Sequence, residues 1–184
     1  MIKPKHNFII YLLFFTMAGQ VYADKIFHDN FQNPSEWRYI SDGVMGGVSK
    51  GSVSYEDQGG RNIALLSGDV STQNNGGFIQ IRKKIVDNDL TKARNIKIIA
   101  KGNNEKYYIH LRTSGTILPW QYYALDFKVS ENFEEFILPI ENFKKSGSFL
   151  FSQVKPKNIK SIAVVAFGRD HEAEIFIKEI AITD

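Results

Sequence analysis

Tyr107-Tyr108-Ile109-His110-Leu111-Arg112-Thr113 carries the plainest structural instruction in the chain. In an extended backbone Tyr107, Ile109, Leu111 and Thr113 fall on one side, and Tyr108, His110 and Arg112 on the other. A period of two marks a strand with one buried face and one open face. Tyr122 to Val129 repeats it, with Tyr123, Leu125, Phe127 and Val129 opposing Tyr122, Ala124, Asp126 and Lys128. Upstream, Gly77 to Ile85 sets Ile79, Ile81 and Lys83 against Phe78, Gln80 and Arg82.

Outward from these three segments, strand signals continue. Val48 to Glu56 alternates, and Ile63 to Leu66, Ile96 to Ala100, Phe136 to Leu138, Ile159 to Phe167 and Glu174 to Ile182 are short apolar or alternating runs. Turn chemistry separates them at Gln58-Gly59-Gly60, Asn75-Gly76-Gly77, Gly102-Asn103-Asn104 and Ser146-Gly147-Ser148. No long amphipathic helix interrupts the series; Leu138 to Phe143 and Pro156 to Ile159 read as single turns. About nine or ten strands at this spacing predict an all-β, two-sheet sandwich or jelly roll. The chain's 184 residues suit one such domain, expected over residues 24–184.

The N-terminus reads as an address. Lys3, Lys5 and His6 precede an apolar stretch from Phe8 to Gly19, and Gln20-Val21-Tyr22-Ala23 has the character of a cleavage site. The apolar stretch is about 12 residues, short of the roughly 20 that span a bilayer. The expectation is a signal peptide over residues 1–23, export to the periplasm or the exterior if the source is bacterial, and no membrane insertion afterwards. Removing Lys3 and Lys5 from the 23 basic residues leaves 21 against 20 acidic ones, so the mature chain is nearly neutral. It lacks the basic field that non-specific nucleic-acid binding requires. With no cysteine, disulfides, thiolate metal sites and a cysteine nucleophile are excluded.

Two glycine-rich segments stand out: Trp37-x-x-x-Ser41-Asp42-Gly43-Val44-Met45-Gly46-Gly47-Val48-Ser49-x-Gly51, and Asn74-Asn75-Gly76-Gly77-Phe78-x-x-x-Arg82. Further on, Gly102 precedes the Tyr107 strand, Tyr122 to Phe127 and Phe136-x-x-Pro139-x-x-x-Phe143 follow it, and Ile175 to Ile182 closes the chain. Over about residues 27–182 this pattern resembles the complex I intermediate-associated protein 30 family. The resemblance implies a galactose-binding-domain-like jelly roll. It also implies a chaperone-like role, since mitochondrial members assist assembly of respiratory complex I and are not known as enzymes. Some relatives are fused to dehydrogenase-like domains; here no GxGxxG follows a strand. An exported chain also departs from a family role on the matrix or cytoplasmic side.

Candidate binding residues fall into two groups. Asp42, Met45, Asn74 and Asn75 lie in the glycine-rich segments, which are either two loops meeting at a ligand or tight turns the fold requires. Arg82, Tyr108, His110, Arg112 and Tyr122 share the polar sides of their strands, with Trp120 nearby. In one sheet they make a face of aromatic plates and guanidinium forks, the chemistry that holds sugars or peptides; the alternative is an ordinary solvated face. Trp37 reads as core.

Catalysis finds little support. Asp42, Asp69, Asp126, Asp170 and Glu172 are not paired by sequence. No nucleophile elbow appears. His28, His110 and His171 lack metal-ligand spacing, and Asp170-His171-Glu172 reads as an exposed turn. No cofactor is expected. The leading expectation is a protein-binding, assembly-type module of the cell envelope; the alternative is a carbohydrate-binding module, with an enzyme third.

Overall fold

The computed structural model describes residues 24–57, 59–60 and 62–184; the expected signal peptide at residues 1–23 lies outside them. Twelve strands form among the described residues. They are β1 (Lys25–Asp29), β2 (Trp37–Ser41), β3 (Lys50–Asp57), β4 (Asn62–Val70), β5 (Phe78–Lys84), β6 (Asn95–Gly102), β7 (Lys106–Thr113), β8 (Tyr123–Lys128), β9 (Glu134–Pro139), β10 (Lys144–Lys145), β11 (Ile159–Phe167) and β12 (His171–Thr183). Among the described residues, helical structure is confined to short 3₁₀ turns, such as Ile140–Asn142 and Pro156–Asn158.

The strand count corrects the expectation of nine or ten. The three additional strands are β1, β2 and β10. Each is short and lies at a margin of its sheet, and their pairing comes from partners distant in sequence, such as Phe27 against Ile182.

One sheet runs β3-β4-β12-β6-β9, with β1 also pairing β12; the other runs β10-β8-β7-β11-β5-β2. Every pairing is antiparallel. Because the chain passes repeatedly between sheets, β12 inserts between β4 and β6, and β11 between β5 and β7. The inward sides read from alternation meet in the core: Ile79, Ile81, Tyr107, Ile109, Leu111 and Tyr123 are all buried. Burying one such side chain contributes roughly 1.5–3 kcal/mol. Trp37 is core as expected. Its ring lies 5.0 Å from that of Phe31, and its indole N–H donates to Asp29 Oδ1 at 3.2 Å.

Strand β11 departs from simple alternation. Ile162 through Ala166 are all buried, including Ala163 and Val165 on the outer side. Register explains this. Ala163 lies between Arg82 of β5 and His110 of β7, and Val165 between Gln80 and Tyr108. The small β11 side chains form a floor, and the larger neighbours rise on either side.

Candidate functional site

The two glycine-rich segments do converge, and a carboxylate draws them together. Asp42 is fully buried. Its Oδ2 accepts from Gly77 N (2.5 Å), Phe78 N (3.2 Å) and Ser49 Oγ (2.5 Å), and its Oδ1 from Ser49 N (3.0 Å). Ser49 Oγ in turn accepts from Ser71 N at 2.9 Å. Burial pushes the Asp42 pKa upward. The Gly77 amide, the Ser49 hydroxyl and the Phe78 and Ser49 amides outweigh it and hold the carboxyl below its ordinary value.

This carboxylate explains two of the glycines. A Cβ on Gly47 would stand 2.3 Å from Asp42 Cγ, and one on Gly76 would stand 2.4 Å from Asp42 Oδ2. Both separations are inside van der Waals contact. With both oxygens filled from within the protein, Asp42 acts as a fastener between loops. Around it Met45 is 57% exposed, and Asn74 and Asn75 are exposed with left-handed φ of 56° and 58°. The cluster stands at one end of the second sheet, where Phe78 pairs with Phe167 in register.

The second group shares the outer face of β8-β7-β11-β5. Tyr122 stacks on His110 at 3.9 Å and 8°. Phe167 meets His110, Tyr108 and Tyr122 edge-on at 5.4, 5.7 and 6.0 Å. Tyr108, Tyr122 and Phe167 are half-buried, and His110 lies beneath them. Burial, then the neighbouring Arg82 charge, pushes the His110 pKa down to about 3, so the ring is neutral near pH 7. Its Nε2 and the Arg82 Nε are buried without a hydrogen-bond partner. Gln80 Oε1 accepts from Arg82 at 3.3 Å.

Arg112 and Trp120 belong to the rim of this face. The Arg112 guanidinium donates to the carbonyls of Thr116 (2.9 Å), Leu118 (2.9 Å) and Pro119 (3.2 Å). It therefore folds the β7–β8 loop, and its donors are engaged. Trp120 is 62% exposed. Ser146 Oγ donates to Trp120 O at 3.1 Å and accepts from Tyr122 N at 3.0 Å. Tyr123 OH donates to Phe151 O at 3.1 Å. These bonds join the β7–β8 and β10–β11 loops in one rim carrying exposed Ile117, Leu118, Trp120, Phe149 and Phe151.

Trp120 was among the sequence-derived candidates; Phe167, Arg38 of β2 and the rim residues Ile117, Leu118, Phe149 and Phe151 were absent from them. Phe167 ends a run apolar on both faces, so periodicity offered no signal for its direction. Among the carboxylates considered for catalysis, Asp170 bonds Thr72 N and Oγ1 at 2.6 and 2.7 Å, and Asp126 pairs with Lys106 at 3.2 Å. The reading of Asp170-His171-Glu172 as an exposed turn is corrected: Asp170 ends the β11–β12 connection, and His171 and Glu172 begin β12 with His171 half-buried. Among the described residues, no three His, Asp or Glu side chains gather in a metal-binding group.

A two-sheet antiparallel sandwich with loops fastened at its end and an aromatic sheet face is a galactose-binding-like jelly-roll domain. The chain belongs to the complex I intermediate-associated protein 30 family, whose sequence profile matches residues 27–177. No curated protein matches it. Among solved structures it is similar to a family 11 carbohydrate-binding module from Clostridium thermocellum in complex with a β-1,3-1,4-mixed-linked tetrasaccharide. The TM-score is 0.67 at 15% identity, covering 84% of this chain and 92% of that one. The family 11 module of the cellulosomal cellulase Lic26A-Cel5E of Clostridium thermocellum gives 0.70 at 15%, covering 89% and 95%. A family 30 carbohydrate-binding module gives 0.55 at 13%, covering 75% and 92%.

Proposed function

We propose that the protein is an exported, non-catalytic binding module that takes up a glycan chain on the outer face of β8-β7-β11-β5. The observation that carries this is the cluster of Tyr108, His110, Tyr122 and Phe167 around the Ala163–Val165 floor. Half-exposed rings present flat apolar plates to sugar C–H faces, and Gln80 and Arg82 beside them offer hydrogen bonds to hydroxyls. The Tyr122 ring rests on His110 and is held rigid before any ligand arrives, which reduces the ordering cost of binding. The names of the structural neighbours, carbohydrate-binding modules, support the same reading. Export rests on the sequence of residues 1–23 and predicts a mature N-terminus at Asp24.

Titration calorimetry of residues 24–184 against a panel of soluble polysaccharides tests the proposal. Saturable binding, weakened at least tenfold in a folded Tyr108→Ala variant, is expected. Binding unchanged by Tyr108→Ala and by Tyr122→Ala would remove this face from the reading.

A second reading, a protein-assembly module, is supported by family membership and by the rim. Ile117 is 84% exposed and Phe149 94%, and exposed apolar side chains gathered on one rim favour a protein contact. Crosslinked capture from native envelope discriminates. A partner lost in Phe149→Ser/Phe151→Ser but retained in Tyr108→Ala would place the interaction on the rim and not on the sheet face.

A further inference from the structure

Beyond β11, the same face changes character. Arg82 lies two strands from His110 across Ala163, about 10 Å at ordinary strand spacing. Directly opposite Arg82, on β2, stands Arg38. Like charges placed opposite one another across an antiparallel pair are destabilising. An open cleft of about 520 Å³ lies here, and Arg38, Arg82, Lys83, Lys84 and Glu36 are among its lining residues.

The cleft's positive charge is only partly compensated. Glu36 is engaged with Lys83, which also pairs with Asp29. Across the face, Asp126 is held by Lys106. Among the described residues, the ion pairs leave Arg38, Arg82 and Lys84 without a carboxylate. Arg82 has one side-chain partner, the neutral Gln80 amide, and its buried Nε has none. The unpartnered Nε2 of the buried His110 lies on the same row. Buried polar atoms are normally satisfied, and these two, of five such atoms among the described residues, leave the Arg82 side chain short of partners within the chain. Burial, then the proximity of Arg112 and Arg38, also moves the Arg82 pKa downward from its ordinary value. An arriving anion would relieve that crowding.

We infer that Arg38 and Arg82 form an oxyanion subsite on the glycan-binding face, so that the preferred ligand is an acidic polysaccharide carrying carboxylate or sulfate groups. The inference rests on the glycan reading and gives it a substrate class. A guanidinium fork fits two oxygens of a carboxylate or sulfate, and two forks facing one another offer more donors than one anion needs. With the aromatic cluster about 10 Å away, one residue of the chain stacks while a neighbouring residue presents its charge. Phosphate-bearing polymers share this chemistry and are separated from the other two by the arms of the test.

The mature protein is titrated with alginate, a sulfated galactan, a wall teichoic acid and a neutral mixed-linkage β-glucan, at about 20 and about 200 mM salt. Wild type is compared with Arg38→Gln, in which an exposed side chain changes, and with Lys101→Gln, on the outer side of β6 in the other sheet, as a remote charge control. The expected result is that at least one acidic polymer binds ten or more times tighter than the neutral glucan at low salt. Arg38→Gln should abolish that advantage and leave neutral binding unchanged. The polymer with the advantage identifies the anion. Three outcomes overturn the inference: the neutral glucan binds as tightly as the acidic ones, the remote control loses as much as Arg38→Gln, or Arg38→Gln changes nothing. In these cases glycan binding itself stands. If no polymer binds at all, the glycan reading fails together with the subsite.

Discussion

Asp42→Ala offers the sharpest test of the loop fastener. Removing the carboxylate leaves the amides of Ser49, Gly77 and Phe78 and the Ser49 hydroxyl without their acceptor. An unsatisfied buried donor costs about 1–3 kcal/mol. Water entering the vacated space recovers part of this, so a loss of about 3–5 kcal/mol is expected. Asp42→Asn is expected to cost about 2–3 kcal/mol, because its amide N–H₂ must face at least one backbone N–H. Urea denaturation followed by tryptophan fluorescence reads both. The mechanism also predicts coupling. Gly47→Ala places a Cβ 2.3 Å from the Asp42 Cγ, and should destabilise the wild type. In the Asp42→Ala background the two closest contacts, to Cγ and to Oδ1 at 2.5 Å, are gone and only the one to Cβ at 2.7 Å remains, so the double-mutant cycle should show about 1–3 kcal/mol of favourable coupling. A loss below about 1 kcal/mol for Asp42→Ala, or strict additivity with Gly47→Ala, would refute the fastener.

Other outcomes follow from the same structure. His110 titrates at about 3 when folded and near 6.5 when unfolded. A depressed folded pKa on a base means its contribution is complete above about pH 6.5 and is lost as pH falls towards 3, by up to ~1.4 kcal/mol per pH unit. Stability measured from pH 7 to 4.5 should show this slope in wild type and lose it in His110→Gln; an equal slope in both would exclude His110 as its source. Asp42, whose pKa is lowered, contributes above its unfolded value of about 3.9 and loses that contribution only in more acidic solution. Tyr107→Phe deletes a hydroxyl that donates to Asn103 Oδ1 at 2.8 Å and accepts from Glu174 N at 2.7 Å, and should cost about 1–2 kcal/mol by denaturation. Trp120→Ala, at an exposed rim position, should shift stability by no more than about 0.5 kcal/mol, whatever it does to binding.

Periodicity alone determined which side of β5, β7 and β8 faces the core, because a one-residue error would expose Ile79, Ile109 and Phe127 together. It therefore also placed Arg82, Tyr108, His110 and Tyr122 on outward sides, and the turn residues marked most strand limits. The DGVMGGVS segment identified the family, but its chemistry was hidden. Gly47 and Gly76 are glycines on account of Asp42, a residue that only folding brings beside Gly76. Arg112 read as a donor for ligand because no local signal shows that its own loop carbonyls would take its hydrogen bonds. Strands β1, β2 and β10 were invisible for a related reason: β10 has two residues, β1 buries the polar Asp29 beside Phe27, β2 mixes polar and apolar residues, and each is extended because another strand supplies hydrogen bonds. The opposition of Arg38 and Arg82, and the engagement of the nearby acids elsewhere, are facts of register between strands more than forty residues apart. Alternation is a local property of the chain and can be read from it. Pairing, convergence and surplus charge are relations between segments, and the tertiary structure alone decided them.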